Sequence, residues 1–586
     1  MGQSDVVDHP EKTETVQTEV VPTPTSNDVS STTSETAGGP PGMTKAKWLA
    51  CIALALGYTT TFQQFACTGS IVRHIDLELG HSPQYNWMLA VYTLGLAVCL
   101  PVTGGLSDIF GRRWFFMGGC VVSLIGTIVS VRADAVNMVI GGMALKGIGA
   151  AAQQLAVAGI AEIVPNKHRG TAQAILDIIT TPWTMFGSLA GNAMVKYHHL
   201  TFRINWYVGI ALNIVTLVMA FFFYFPPHHP NSHGKSKRQQ FYEIDWIGVA
   251  LWASGLTMLL VGISFGGVSY PWKSAIVLCL ILIGAALLFV MGMWEWKFAP
   301  NPFMDRSLFS RGRTFSLVLV IIFVAGMGLY AGSAFWPQQI SFMYDEDPIR
   351  IGVLTIAGGA GGATGGFVSG MIIGKHKWLK THWCVLFGVF LKVVGPAGLT
   401  TLTPDTLSRA LGLTFLSGCG TGWVSVSLIV CIQLACDDHN IGLASMLIGS
   451  FRAAGGTVAL AIYSTVLSNK VRQVIGKHIG GAVIPMGVKR EDLARFITAI
   501  SAGDIKTALT IPGANVEVLL AAKEASKWAY AEGFKALYIT ALSFAAFAFV
   551  VTLFTKDVSK NMTSHVAVRL ENEAPVSDDE KEKALA

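Results

Sequence analysis

The sequence has 586 residues, of which 52% are hydrophobic and only 13% are charged, with a formal net charge of +6. Soluble domains carry about 25% charged residues, so the composition excludes a string of ordinary soluble domains. The mean hydropathy of +0.51 and the many apolar runs of about 20 residues predict an all-α integral membrane protein. The excess of Lys and Arg is then expected in cytoplasmic loops rather than in a nucleic-acid site.

The first 44 residues are rich in Ser, Thr, Pro and Glu, a composition that predicts a disordered tail. About fourteen apolar segments follow, each long enough to cross a bilayer. Their expected positions are 47–69, 84–104, 113–133, 137–162, 171–195, 205–226, 245–265, 273–294, 314–337, 351–373, 383–402, 408–434, 441–467 and 534–555. The polar segment 556–586 predicts a second disordered tail.

Lys and Arg residues are concentrated in every second connection between these segments, that is, on one side of the membrane. Arg112 and Arg113, the "KSKR" run at 235–238 and the "KHKWLK" run at 375–380 all fall on one side. The connections on the other side, such as "MYDEDPIR", contain fewer Lys and Arg residues. This alternation predicts that both tails are cytoplasmic, and we expect the plasma membrane as the location, with a vacuolar or vesicle membrane as the alternative.

Two features point away from metal or disulfide chemistry. The nine cysteines lie in or beside apolar runs without paired spacing, which indicates buried free thiols. The hexapeptide "HHPNSH" at 228–233 has the spacing of membrane di-iron oxidases, but such enzymes need several converging clusters and the other histidines are scattered. We therefore expect no metal, no cofactor and no enzymatic activity, and no phosphate-binding loop for ATP is present.

The connection after the second apolar segment reads "GGLSDIFGRRW" and places one acid and two arginines among three glycines. This segment resembles the signature loop of the major facilitator superfamily. Glycine permits a tight reversal, and the charges can form pairs that exist in one transporter state only. The residues of this expected conformational latch are Gly104, Leu106, Asp108, Gly111, Arg112 and Arg113.

Further stretches are similar to the fourteen-span drug:proton antiporter branch, and in particular to fungal trichothecene efflux pumps and related siderophore transporters. They are "DWIGVALW" at 245–252, "TFRINWYVGIALN" at 201–213, "AFWPQQISFMY" at 334–344 and "FRAAGGTVALAIYSTVL" at 451–467. The resemblance implies a major facilitator fold of two six-helix halves plus two additional helices, with alternating access to a central cavity.

Applied to this chain, that architecture predicts five parts. Residues 1–44 form a cytoplasmic tail, 45–226 the N-terminal half, and 227–312 a cytoplasmic loop with the two inserted spans and a connecting segment. Residues 313–555 form the C-terminal half, including an extracellular loop at 468–533 with short amphipathic helices on the surface, and 556–586 form the second tail.

The sequence departs from the family pattern at two places linked to proton coupling. In the fourth span the usual arginine position is occupied by Met143, and Lys146 lies nearby as a candidate substitute. In the fifth span, Ser188 and Asn192 replace members of a Gly-Pro and a Gly-Gly pair. Both departures weaken the inference of proton antiport.

Four ionisable residues fall deep within spans, where a charge costs about 2.5–3.5 kcal/mol and therefore marks a functional candidate. They are Lys146, Asp177, Lys392 and Arg452. Asp177 is the expected proton carrier, with Lys146 as a second coupling candidate. A structural ion pair is the alternative role for Asp177, and pairing is favoured over substrate contact for Arg452. Three cations against one acid predict a cavity that tolerates anionic or oxygen-rich ligands.

Uncharged polar residues supply further cavity candidates. For each, a hydrogen bond between helices is the alternative role. They are Gln63, Gln64, Gln153, Gln154, Asn213 and Trp183.

The predicted function is export of a small organic compound, such as a mycotoxin, another secondary metabolite or a drug, by proton antiport and as a monomer in the bilayer. Import of a ferric siderophore with protons is the main alternative, and a membrane sensor without transport is a weaker one. Efflux is favoured by the closer resemblance and because the sequence shows no evident cluster of His, Tyr or Trp for a siderophore.

Overall fold

The computed structural model describes residues 45–80, 82, 85, 87–163, 169–226, 237–267, 269–304, 308–309, 313–373, 380–436, 441–501 and 508–559. The predicted tail 1–44, residues 560–586 of the predicted tail 556–586, the hexapeptide at 228–233 and most of the "KHKWLK" run lie outside these residues. The side chain of Asp108 is also outside the description.

The described chain is built from helices, as the sequence predicts. The first seven are α1 (Lys45–Glu78), α2 (Trp87–Phe110), α3 (Arg112–Val131), α4 (Val136–Gln153), α5 (Leu155–Ile163), α6 (Arg169–Tyr197) and α7 (Arg203–Phe223). The middle of the chain forms α8 (Lys237–Glu243), α9 (Trp246–Phe265) and α10 (Ala275–Lys297). The last seven are α11 (Arg313–Met343), α12 (Pro348–Ile372), α13 (Thr381–Leu399), α14 (Leu407–Ala435), α15 (Ile441–Val483), α16 (Leu493–Ser501) and α17 (Val516–Thr552).

Eleven helices of the described chain are long and apolar enough to cross a membrane. They correspond to all the predicted segments except the first, fourth and fifth, which fall on α1, on α4 with α5, and on α6. These exceptions have a common physical reason. They carry buried polar residues such as Gln63, Lys146 and Asn192, which lower the mean hydropathy of helices that face other helices rather than lipid. The fourth segment is also divided at Gln154.

Two predicted connections are in fact helical. Helix α2 continues through the signature segment to Phe110, and the chain reverses only at Gly111, whose φ of 96° suits glycine. Within the predicted loop 468–533, α15 continues to Val483 and α17 begins at Val516, so both flanking helices are longer than predicted, whereas α16 is a short helix of the kind expected there. These extensions and α16 surround an apolar core that includes Ile479, Phe496 and Val518, so each helix has an apolar partner where a loop was expected.

The Gly-rich stretch 357–370 brings α12 close to neighbouring helices on two sides. A Cβ atom built at Gly359 would overlap the backbone of Met185 in α6. A Cβ atom at Gly365 would overlap the carbonyl oxygen of Cys419 in α14. Helix α12 is therefore held between α6 and α14 at backbone contact, which only residues without a side chain allow.

Helices α9 and α10 form a pair beside the main bundle. Gly284 of α10 packs against the backbone of Leu259 in α9. Trp252 of α9 donates a 3.1 Å hydrogen bond to the carbonyl of Val98 in α2, and Thr465 of α15 lies 3.4 Å from the carbonyl of Gly266. The pair thus contacts α2 from the early part of the chain and α15 from its late part.

Candidate functional site

A cavity of about 260 Å³ lies inside the bundle. Its walls come from α1, α2, α6, α11, α12, α13, α14, α15 and α17, so helices distant in sequence converge on one space. The described lining residues include three charged ones, Asp177, Lys392 and Arg452. Two cations and one carboxylate give this lining a formal charge of +1.

Asp177 projects from α6 toward the Gly-rich surface of α12. Its Oδ2 atom occupies the position that a Cβ atom at Gly366 would need, so the glycine makes room for the carboxylate. Gly366 also packs on Val426 of α14, and no ion pair is found for Asp177 among the described residues. The carboxylate thus lies on the cavity wall with space to exchange a proton or to accept a hydrogen bond.

Arg452 is 5% exposed and approaches the same region from α15. Its Nη2 donates to Gln154 Oε1 at 3.4 Å, and Tyr58, Tyr330 and Asp177 are its electrostatic neighbours. The Nε atom has no hydrogen-bond partner in the described chain. A charged group in this environment needs compensation, which the neighbouring carboxylate supplies only in its ionised form.

Lys392 enters the cavity from α13 and is 6% exposed. Its Nζ donates a 2.9 Å hydrogen bond to Thr421 Oγ1 of α14. The ammonium group also occupies the position that a Cβ atom at Gly328 of α11 would need. Lys392 therefore depends on a glycine from a neighbouring helix in the same way as Asp177 does.

Sequence reasoning missed the aromatic character of the cavity. Five tyrosines are among its described lining residues, namely Tyr58, Tyr92, Tyr330, Tyr463 and Tyr538. They come from α1, α2, α11, α15 and α17, so no local run marks them. The expectation that no tyrosine cluster exists is wrong, and the argument it supplied against a siderophore falls with it. A tyrosine within an apolar span, which needs a partner for its hydroxyl, was the available signal.

Lys146 does not line this cavity. It is fully buried among the N-terminal helices, where its Nζ lies 4.8 Å from the ring centre of Trp206 in α7. Lys146 is not among the described lining residues, so its predicted role in coupling has no support from contact with the cavity.

Of the six uncharged candidates, only Gln154 lies on the described cavity wall. The other amides hydrogen-bond between helices, and Trp183 is half-buried outside the lining. The pairs are Gln63 with Asn205 at 2.7 Å, Gln64 with Ser123 at 3.1 Å and Gln153 with Asn213 at 2.8 Å. Gln153 ends α4 and Gln154 lies at the break before α5, so these adjacent amides have different neighbours.

The signature segment lies where α2 meets α15. Met446 contacts Gly104 so closely that a Cβ atom at this glycine would lie 2.7 Å from its Cγ atom. Arg113 donates a 2.6 Å hydrogen bond to the carbonyl of Phe221 in the last turn of α7, and its guanidinium lies 3.8 Å from the ring centre of Phe225. Arg113 thus donates to a carbonyl group at the C-terminus of α7 and not to a residue on the other side of the bundle.

Contacts join the early and late helices at both ends of the cavity. At the end marked by Gly111, called the Gly111 end, Arg169 of α6 donates a 2.9 Å hydrogen bond to the carbonyl of Gln433 in α14. At the opposite end, called the Asp347 end, Lys196 of α6 pairs with Asp347 at 2.6 Å. The structure therefore holds the cavity between two sets of contacts.

The ion pair at the Asp347 end shifts the pKa values of both of its members. The hydrogen bond from Lys196 lowers the pKa of Asp347, and the same bond raises the pKa of Lys196. Because the pKa of Asp347 is lowered, its contribution to stability is present at pH values above the ordinary pKa of aspartate and is lost on acidification. Because the pKa of Lys196 is raised, its contribution is lost only in strong base. The pair therefore persists through neutral pH.

We expect the variant Lys196→Asp to loosen the Asp347 end, because it sets two carboxylates against each other. Amide hydrogen exchange in the first turn of α12 at neutral pH should accelerate, by less than about fivefold since the pair is exposed. The double variant Lys196→Asp with Asp347→Lys restores opposite charges and should restore protection. Unchanged exchange in the single variant would show that the pair does not hold α6 and α12 together.

Comparison with known proteins decides the family. A family model described as "Fungal trichothecene efflux pump (TRI12)" matches residues 29–582. The chain belongs to this family of fungal trichothecene efflux pumps. The resemblance stated from the motifs is confirmed, and the chain is a transporter of the major facilitator type.

Named relatives of this trichothecene efflux pump family member cover nearly all of the chain. The "Trichothecene efflux pump TRI12" of Fusarium sporotrichioides is 24% identical, with 88% of this chain and 87% of the relative covered. The "MFS-type transporter prx5" of Penicillium rubens is 26% identical, covering 90% and 96%. The "Efflux pump FUS6" of Gibberella fujikuroi is 24% identical, covering 91% and 93%.

Solved structures support the fold of this efflux pump family member. The human organic anion transporter MFSD10 gives a TM-score of 0.55 at 12% identity, with 86% of this chain and 99% of that chain covered. The proton:xylose symporter XylE gives a TM-score of 0.51 at 14% identity, covering 87% and 96%. At these identities the likeness establishes the major facilitator fold alone.

Proposed function

We propose that the protein exports a small organic secondary metabolite across the plasma membrane in exchange for protons. The observation that carries the proposal is a cavity inside an efflux-pump fold with one carboxylate, Asp177, among its described charged lining residues. A secondary transporter needs a site that substrate and coupling ion both reach, and a titratable group on a cavity wall meets this need.

Competition for Asp177 is the proposed basis of exchange. The ionised carboxylate accepts hydrogen bonds from substrate hydroxyl groups and compensates the nearby charge of Arg452. A proton on Asp177 removes the charge compensation and weakens the hydrogen bonds, because a neutral carboxyl group is a poorer acceptor than a carboxylate. Substrate and proton therefore bind in alternation, which is the condition for antiport.

Movement of the substrate requires the two ends to open at different times. Opening of the Gly111 end breaks contacts such as Arg169 with Gln433, and opening of the Asp347 end breaks Lys196 with Asp347. The latch role of the signature segment fits this scheme, because Gly104 packs on α15 at the Gly111 end. We place both tails in the cytoplasm and propose a monomer as the working unit.

Transport in vesicles tests the proposal. The purified protein is reconstituted with a pH-sensitive dye inside, and a trichothecene gradient is imposed without a pH gradient. Antiport predicts that protons move against the direction of the trichothecene, and that an imposed pH gradient concentrates the compound on the acidic side. A ferric hydroxamate siderophore serves as the comparison compound. Proton movement in the same direction as the transported compound, or siderophore transport alone, would refute export by antiport.

A further inference from the structure

The polar groups of the cavity form two separate poles. Asp177 and Arg452 are electrostatic neighbours, and Tyr58 and Tyr330 belong to the same group. Lys392 is not among these electrostatic neighbours, and its hydrogen-bond acceptor is Thr421. Among the described residues it forms no ion pair. The first pole has the carboxylate that proton exchange requires, whereas the second has a cation and a hydroxyl.

The position of Lys392 is built by other helices. An ammonium group has three donors, and the bond to Thr421 Oγ1 uses one of them. Gly328 is the residue of α11 that makes room for the Nζ atom, since any side chain there would displace it. One turn further along α11, Gly332 also lines the cavity, but a Cβ atom there would meet no atom within 4 Å. A Cβ atom at 328 would therefore displace the ammonium group, whereas a Cβ atom at 332 would not.

A buried cation with unused donors is costly unless a ligand supplies acceptors. We propose that Lys392 is a specificity-determining residue, which donates a hydrogen bond to an acceptor oxygen of the transported compound, and that Gly328 admits it to the cavity. The inference rests on the proposed transport function. The acceptor is a carbonyl or a carboxylate oxygen, and the probes below distinguish these two.

Binding of three naphthalene probes of similar shape tests this assignment. They are 2-acetylnaphthalene, 2-naphthoate and 2-ethylnaphthalene, which carry a neutral carbonyl, a carboxylate and no acceptor. Affinities are measured by fluorescence with the full-length protein in nanodiscs, and empty nanodiscs correct for partition into lipid. The variants are Lys392→Gln and Gly328→Ala, with Gly332→Ala as the matched control.

We expect both variants to weaken binding of an acceptor probe by at least about tenfold, since hydrogen bonds to charged groups contribute about 1.5–3 kcal/mol. Binding of 2-ethylnaphthalene should not change in these two variants. Gly332→Ala also alters the cavity wall, but it should cause no loss that is selective for the acceptor probes. A loss confined to 2-naphthoate identifies a carboxylate as the acceptor, and a loss for 2-acetylnaphthalene identifies a neutral carbonyl. Gly328→Ala keeps the lysine itself and therefore covers the case in which Lys392→Gln fails to fold.

The assignment of Lys392 is overturned if the wild type binds neither acceptor probe, or if the variants weaken all three probes equally. The vesicle experiment separates this failure from that of the transport proposal. Proton-coupled flux of a trichothecene with unaltered probe binding in the variants would refute the role of Lys392 alone. If the wild type transports no trichothecene, but the two variants selectively lose binding of an acceptor probe, the transport proposal is refuted and the assignment of Lys392 to a binding site stands.

Discussion

Replacement of Asp177 by Asn is expected to abolish transport driven by a pH gradient while leaving exchange of substrate down its own gradient in place. Asparagine has nearly the same shape but carries no titratable proton, so the competition between proton and substrate disappears. Asp177 is the one carboxylate among the described lining residues, and no second acid of that lining can replace it. Flux should be measured in vesicles at several external pH values.

The appropriate control is Thr184→Ser, which changes another lining residue of α6 without altering charge. This variant should keep the pH dependence of the wild type. Arg452 from α15 is the charged electrostatic neighbour of Asp177, so Arg452→Gln tests whether the neighbouring cation contributes. If Asp177→Asn keeps the wild-type dependence on the pH gradient, another group carries the proton.

The second large effect is expected from Gly365→Ala in α12. A Cβ atom at this position would lie 2.8 Å from the Cα atom of Cys419 and would overlap its carbonyl oxygen. Because these are backbone atoms, the two helices must separate. Overpacking of this kind costs about 1–3 kcal/mol, occasionally more, and outweighs the gain of up to about 1 kcal/mol from replacing glycine in a helix. The thermal unfolding midpoint in detergent should fall.

Gly362→Ala in the same helix provides the matched control. A Cβ atom there lies 3.9 Å from the carbonyl oxygen of Gly418, an ordinary contact. This variant should unfold at or slightly above the wild-type temperature. Equal midpoints for the two variants would contradict the close approach of α12 and α14.

Composition and local pattern determined much about this protein. The apolar runs predicted the helices, because a chain in lipid must satisfy its backbone hydrogen bonds within each helix. The signature segment around Gly111 identified the superfamily, and the cost of a buried charge singled out Asp177, Lys392 and Arg452, all of which line the cavity. These are properties of one residue or one short segment, so the linear sequence carries them.

The tertiary structure decided which polar residues share a space. Gln153 and Gln154 are adjacent in sequence, yet one bonds Asn213 between helices and the other lines the cavity. Lys146, like Lys392, is an ionisable residue deep within a predicted span, but it faces Trp206 within the N-terminal helices. Rotation of each helix about its axis determines these outcomes, and that rotation is set by packing against distant helices.

The same reason explains the glycines and the tyrosines. Nothing near Gly328 or Gly366 in the sequence shows that one makes room for a lysine of α13 and the other for an aspartate of α6. The five cavity tyrosines come from five helices. The sequence by itself thus determined the helices, the family and the candidate charges. Only the packed bundle decided which of those charges meet, because a site between helices depends on long-range contacts that no local pattern encodes.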